Sequence, residues 1–453
     1  MNTTGSKLLK LSLWAVALIL VPSVGASPCG GDSTALATFR SCIEGSSSTC
    51  QLPTGTHSVT CTLFINNANL THIYGGTSDP ADTVLQRGSA SLTFMMQWSN
   101  AAQGLIIDYL TFDGNRWGFG TAPSSGTTNV PNLTCLDTNI VGNSFWDLDL
   151  GPATIVTAQN LNFRNAPDTA LNLQGSTYVG PPNNAASTVS LSNFGSLSVP
   201  SRAPRATATF VAGPYAGAYY NNMYYPGTAG VTVLSGHDQY VYGNTIFSGY
   251  YEFGARVGGV LVVYPFSNSA VTVAANIVDQ NYWYSPQIVS GQPVPTINGC
   301  PTLGFGAPAG VEAYGSGVYF YNNDISHGAG GGMALGVGIG AASTFVVSGS
   351  NPFDAFDSAK YVHDNWLVGI EANAVNGLTL DGVRVCHSAA TNPPSGVGFP
   401  GTWSNSGVNF ISTSGTGFIN GATMSDNHPG NTAFDTYSNS NVTNKSPSIT
   451  ACP

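Results

Sequence analysis

Val241-Tyr-Gly-Asn244-Thr-Ile246 comes back along the chain as Val273-Ala-Ala-Asn276-Ile-Val278, Phe320-Tyr-Asn-Asn323-Asp-Ile325 and Val362-His-Asp-Asn365-Trp-Leu367, with an earlier copy at Ile140-Val-Gly-Asn143-Ser-Phe145. Each copy is an apolar residue, two variable residues, an asparagine, one variable residue and a second apolar residue. The last four asparagines stand 32, 47 and 42 residues apart. Such gaps fit one or two coils of a solenoid with a repeat of about 20-odd residues and connections of variable length. Asparagine tolerates the left-handed backbone of a tight corner. Its amide also reaches the next coil's backbone, so stacked copies would form an internal ladder.

Runs rich in Val, Ile, Tyr and Phe flank these corners and read as short strands, among them Gly259-Val-Leu-Val-Val-Tyr264 and Asn376-Gly-Leu-Thr-Leu-Asp-Gly-Val-Arg-Val385. No sustained amphipathic helix competes with them. Ser33 to Glu44 places Ala35, Leu36, Phe39 and Ile43 on one face, which predicts a short helix capping the first coil. Only 8% of residues are charged and 55 are glycine, which argues against helices, whose wet faces need Lys, Glu and Arg. Hydrophobic residues at 42% and aromatics at 11% are too much apolar surface for a disordered chain. The fold class is therefore all-β.

The net charge of −10 excludes nucleic acid and anionic membrane as partners, since both demand clustered Lys and Arg. A polyanionic polysaccharide would be repelled as well, unless a local basic patch met it. The first residues read as a secretory leader. Lys7 and Lys10 form a basic start, Leu11 to Val21 is an apolar run too short to span a bilayer, and Val24-Gly25-Ala26 predicts cleavage after Ala26. The expected layout is a signal peptide at 1–26 and one domain at 27–453, with no membrane span in the mature form. The glycine-dense stretch from Gly328 to Val347 reads as a tight turn and a buried strand rather than as a spanning helix.

Eight cysteines, an even count, fit an oxidising compartment. Cys29, Cys42, Cys50 and Cys61 crowd the mature N-terminus and allow three pairings, among which the sequence does not choose. Cys386 with Cys452, and Cys135 with Cys300, are the remaining expected pairs. No C-x-x-C or H-x-x-x-H spacing marks a zinc site, so no metal is expected. No cofactor is expected either. Gly336-Val-Gly-Ile-Gly340 resembles part of a dinucleotide fingerprint but lacks the following helix and the later acidic residue.

The run Thr34-Ala-Leu-Ala-Thr-Phe-Arg-Ser-Cys-Ile43, followed by Cys50-Gln-Leu-Pro-Thr-Gly-Thr-His57, resembles the opening of the pectin-lyase-like right-handed parallel β-helix superfamily, with its capping helix and first strand. Leu110-Thr-Phe-Asp-Gly-Asn-Arg116 is similar to a coil typical of that superfamily. The resemblance lies in the repeats. It implies a β-solenoid whose commonest tenants are carbohydrate-acting enzymes, though adhesins and phage tailspikes use it too. The sequence has neither the catalytic set of polygalacturonases nor the calcium-binding aspartates of pectate lyases.

With charges so scarce, the densest set of chemical groups lies between His237 and His327, extended by Glu371. Glu252 and Glu312 are the first candidates for a carboxylate acid/base pair, followed by Asp238 and Asp324. His237 and His327 are candidate proton carriers. His237-Asp238 has a competing reading as an Asx-type turn with a surface histidine. Arg256 beside Glu252 is either a substrate clamp or a plain ion pair. Glu371 follows the Asn365 corner in a place that matches Glu252 after Asn244, so carboxylates could line one outer face. Tyr250, Tyr251, Tyr282, Trp283, Tyr284 and Tyr314, with Asp279, would bind substrate, since sugar faces stack on rings beside acids. For Tyr282 to Tyr284 the alternative is a ring ladder inside the solenoid, although consecutive residues cannot all point inward.

Three functions are compatible with these residues. They are a secreted glycoside hydrolase acting on extracellular polysaccharide, a polysaccharide lyase or uronate epimerase in which Tyr or His takes the C5 proton, and a non-catalytic glycan-binding solenoid.

Overall fold

The computed structural model describes residues 29–449 apart from connecting segments, the longest being 99–104, 122–131, 175–186, 196–206, 248–256, 280–295, 302–308, 337–342 and 389–405. Each coil runs through three strands. One coil, for instance, is Gln239–Tyr242, Thr245–Phe247 and Val257–Val263. Stacking gives sheet 1, 14 parallel strands from Thr49–Gln51 to Asn441–Asn444, and sheet 2, 14 strands from Gly55–Val59 to Ser448–Ile449. Sheet 3 has 10 strands, from Trp146–Asp149 to Ala433–Asp435. This is a right-handed parallel β-helix. The inward residues form continuous apolar columns along each sheet, such as Val241, Val273, Phe320 and Val347 in sheet 1. Parallel sheets bury their inner faces in this way.

The helix forms over Thr34–Ile43, with Ser33 as its N-cap, and buries Leu36, Phe39 and Ile43 over the first coil. Arg40 is buried on the same face, where it pairs with Asp32 at 2.7 Å and donates to the carbonyls of Thr62 and Cys61. The two disulfides of this cap are Cys29–Cys61 and Cys42–Cys50. Cys386 is disulfide-bonded too, to a cysteine outside the described residues. Cys452 lies outside them, and so does the pairing of Cys135 and Cys300. No helix among the described residues is long and apolar enough to cross a membrane. Gly331–Leu335 and Ser343–Ser348 are the strands of the glycine-dense stretch.

The asparagine ladder exists, with three corrections. Its members are Asn221, Asn244, Asn276 and Asn323, each Nδ2 donating to the next Oδ1 at 2.9 to 3.0 Å. Each of these four amides also donates to a backbone carbonyl of the preceding coil. The gaps of 32 and 47 residues are therefore one coil apiece. The extra length lies in the connections around 248–256 and 280–308. Second, the left-handed residue is the one before each asparagine: Tyr220, Gly243, Ala275 and Asn322 have φ between 48° and 66°. The asparagines are selected for their hydrogen bonds.

Third, Asn365 belongs to a different corner. Its Oδ1 accepts from the Gly328 N–H at the turn between sheets 2 and 3. That corner is tight. A Cβ on Gly332 or Gly369 would collide with Val362 or Val385 of sheet 2. The run Asn376 to Val385 likewise turns a corner, its halves being Val375–Asp381 in sheet 1 and Arg384–Cys386 in sheet 2.

Candidate functional site

Sheet 3 gathers two of the predicted acids. In its strands Val311, Met333, Ile370 and Val408 point into the core, so the residues that follow them point outward. Those residues are Glu312, Ala334, Glu371 and Asn409, in register on successive coils, with Leu261 before them. Glu312 and Glu371 thus share one outward column, two strands apart, which sets their Cα atoms about 10 Å from each other. The residue between them is an alanine, so the space separating the carboxylates is not filled from the sheet. Both glutamates are nonetheless buried, at 5% and 8% exposure. Tyr314 follows Glu312 at the end of its strand, half-buried, its N–H donating to the Val262 carbonyl.

Register corrects one expectation. The column's position in the coil after Asn244 is Leu261, within Val257–Val263. Glu252 precedes that strand and is not the counterpart of Glu371. Glu252, with His237, Tyr250, Tyr251, Arg256, Tyr282, Trp283 and Tyr284, lies outside the described residues. Asp238 stands in left-handed backbone at φ 53°.

The other predicted groups meet on a different face. Asp279, Asp324 and His327 are on sheet 2 and its corner with sheet 3, so the expected single cluster is divided between two faces. His327 Nδ1 lies 2.9 Å from Asp279, and His363 bridges Asp324 at 2.9 Å and Asp364 at 2.6 Å. His387 stands 3.8 Å from Asp364 and 3.5 Å from Asp426. Imidazole and carboxylate alternate at one corner position over four coils, as His327, Asp364, His387 and Asp426, all left-handed. Left-handed backbone favours His, Asp and Asn among non-glycine residues. Beside this row Arg384 donates to the Tyr361 hydroxyl at 3.1 Å, with its guanidinium 5.3 Å above the ring. Among the described residues no group of three or more His, Cys, Asp or Glu is placed to hold a metal ion.

Against solved structures, the chain superposes on the catalytic unit of a thermostable GH87 α-1,3-glucanase from Streptomyces thermodiastaticus with a TM-score of 0.54, at 16% identity, over 88% of this chain and 67% of that one. The shared fold is the parallel β-helix. An Azotobacter vinelandii mannuronan C-5 epimerase A-module is more distant in shape, with a TM-score of 0.43 at 15% identity over 95% of this chain and 98% of that one. No protein-family model and no curated protein matches the β-helix in sequence.

His363, Asp364, His387, Asp426, Tyr361 and Arg384 are not among the residues that the sequence singles out for chemistry. Their signal is there. Ile325-Ser-His-Gly328, Val362-His-Asp-Asn365, Val385-Cys-His-Ser388 and Met424-Ser-Asp-Asn427 are one four-residue corner written four times.

The row has a measurable consequence for stability. Burial alone would lower the pKa of His363, but hydrogen bonds to Asp324 and Asp364, and their charges, outweigh it and raise it from 6.5 to about 9. The bond to Asp279 raises His327 in the same sense. A raised folded-state pKa stabilises fully below the unfolded value and loses that contribution as pH climbs through the folded value. The β-helix is therefore expected to lose about 2 kcal/mol, allowing for solvent screening, between pH 6.5 and pH 9. Urea midpoints across that window measure it. A His363→Gln variant should show a visibly shallower fall, and an identical fall would refute the assignment.

Proposed function

We propose that this β-helix is a secreted glycoside hydrolase that cleaves an extracellular polysaccharide, with Glu312 and Glu371 as its acid and base. The observation that carries this reading is their shared outward column on sheet 3 with Ala334 between them. Inverting hydrolysis needs two carboxyl groups about 6.5–9.5 Å apart, one to protonate the leaving oxygen and one to activate water, whereas a retaining pair stands about 5 Å apart. Cα atoms two strands apart, about 10 Å, leave glutamate side chains room for the inverting separation. Export is supported by the leader-like residues 1–26 and by the disulfides, which persist in oxidising compartments.

A second reading has one specific observation in its favour. Arg384 and Tyr361 on sheet 2, beside His363, are the types of group that neutralise a uronate carboxylate and take its C5 proton, so elimination or epimerisation at that face is the competitor.

Incubation with a panel of neutral and acidic polysaccharides, an α-1,3-glucan among them, separates the two. New reducing ends with inverted anomeric configuration by NMR, and no ultraviolet-absorbing unsaturated product, are expected. Unsaturated ends, or uronates epimerised at C5, would transfer the activity to sheet 2. No reaction with any polymer would leave a binding solenoid.

A further inference from the structure

We propose that the outer face of sheet 1 around Tyr242 and Tyr321 is a second glycan-binding surface, specific for uncharged polysaccharide. It goes beyond the hydrolase reading and shares no residue with the glutamate column. In sheet 1 the residues that point away from the core fall into two columns. One reads Tyr219, Tyr242, Ala274, Tyr321, Ser348; the other reads Gly217, Tyr240, Thr272, Tyr319, Val346. Five tyrosines therefore surround Thr272 and Ala274, and both of these small residues are themselves buried. Tyr240 is buried with them, while Tyr219, Tyr242, Tyr319 and Tyr321 are half-buried.

The rings are organised. Tyr319 and Tyr321 are stacked within 11° of parallel at 6.1 Å, Tyr219 lies 6.4 Å from Tyr242, and Tyr220 and Phe353 meet Tyr242 and Tyr321 edge-on at 5.5 and 5.8 Å. Asn351, from the turn that carries Phe353, donates to the Tyr242 hydroxyl at 3.2 Å. Cross-strand ring pairs stabilise a sheet on their own account. That role does not explain Tyr220 and Phe353, which are 54% and 48% exposed and are two of only five exposed large hydrophobic side chains among the described residues.

Charge selects the occupant. None of the outward positions from Gly217 to Ser348 in these two columns is charged, in a chain whose net charge is −10. Asp381 comes in the following coil, near enough for its charge to act on Tyr321, and with the exposed Asp354 beside Phe353 it places acids at the edge of the surface. Lys360 is turned to the Ala275 carbonyl at 2.8 Å. A ring-rich surface dotted with hydroxyls, with acids only at its edge, offers a polyanion no attraction and suits the apolar faces and hydroxyl edges of a neutral glycan. The strand spacing suits it as well. Coils advance by about 4.8 Å, close to one sugar of an extended chain, so Tyr242 and Tyr321, two coils apart, would meet alternate sugars.

The test is affinity electrophoresis of the full chain carrying Glu312→Gln, which keeps the polymer intact, in gels containing laminarin, galactomannan or xyloglucan, with alginate as the anionic control. At least one neutral polymer should retard it. Tyr242→Ala/Tyr321→Ala should weaken that retardation at least tenfold, and Tyr242→Phe/Tyr321→Phe should preserve it. Tyr220→Asn with Phe353→Ser, at exposed positions where folding is not at stake, should weaken it severalfold. Retardation by alginate alone, by no polymer, or equally for all variants would overturn the proposal. So would concentration-dependent self-association without polysaccharide that the alanine variant abolishes. The hydrolase reading can fail separately, because retardation is read in a protein that needs no activity.

Discussion

Glu371→Gln is expected to lower the rate of polysaccharide hydrolysis by about 10²–10⁴-fold, the range that a positioned proton-transfer group contributes. The amide keeps the shape and volume of the side chain but can neither give nor take the proton. Glu312→Gln should fall in the same range. In the proposed reaction the two act on one bond, so the double variant should be little worse than either single one. Stability should hold. Neither substitution creates a cavity, and an amide at a buried outward position carries no charge to desolvate. Initial rates and urea midpoints for the three variants decide the matter. If either single variant keeps more than a tenth of the activity while folding normally, the pair is not the acid and base. A further variant probes the gap between them: Ala334→Leu would occupy the space in the column and should block cleavage with both carboxylates intact.

Such a pair could be suspected from the sequence but not located in it. Glu312 and Glu371 stood out because acids are scarce in this chain. That they face the same way depends on register, and register depends on where each coil begins. The connections hide those beginnings. One coil between Asn244 and Asn276 is 32 residues long and the next is 47, so matching residues by distance from an asparagine paired Glu371 with Glu252 instead of Glu312. The fold itself was easier to read. The core columns need only apolar residues at alternate positions, and the helix over Thr34–Ile43 follows from local periodicity and a serine cap.

The ladder was legible in part, for physical reasons. Asn221 fits the pattern, but its preceding anchor is Ala218, too weakly apolar to mark a corner. Asn365 fits it at the wrong corner. Both corners place a left-handed residue just before a side chain that accepts a backbone N–H, Asn322 then Asn323 at one and Asp364 then Asn365 at the other. Two sites with the same local demand select the same local sequence.

Asn276→Ala is the substitution expected to cost the fold most. The side chain is fully buried and makes four hydrogen bonds, from its Nδ2 to the Val241 carbonyl and to Asn323 Oδ1, and to its Oδ1 from the N–H and Nδ2 of Asn244. Alanine leaves all four partners in place, in a corner sealed on both sides by the neighbouring asparagines. Stranding a buried polar group costs about 1–3 kcal/mol, and partial relaxation of the ladder should hold the total near 4 kcal/mol. Asn276→Asp should be no milder. It keeps the acceptor that Asn244 needs, yet it cannot donate to Val241 or Asn323 and it adds a buried charge. Because each coil touches only its neighbours, the loss should appear first as local opening of the coils around Asn276, with faster amide exchange at Val241 and Val273 than in the capped first coil. Asn222→Ala is the matched control. It removes one bond, to Asn193 at a half-buried position, and should cost less than 1 kcal/mol. Equal urea midpoints for the Asn276 and Asn222 variants would show that coil stacking is carried by the apolar columns alone, with the ladder incidental to it.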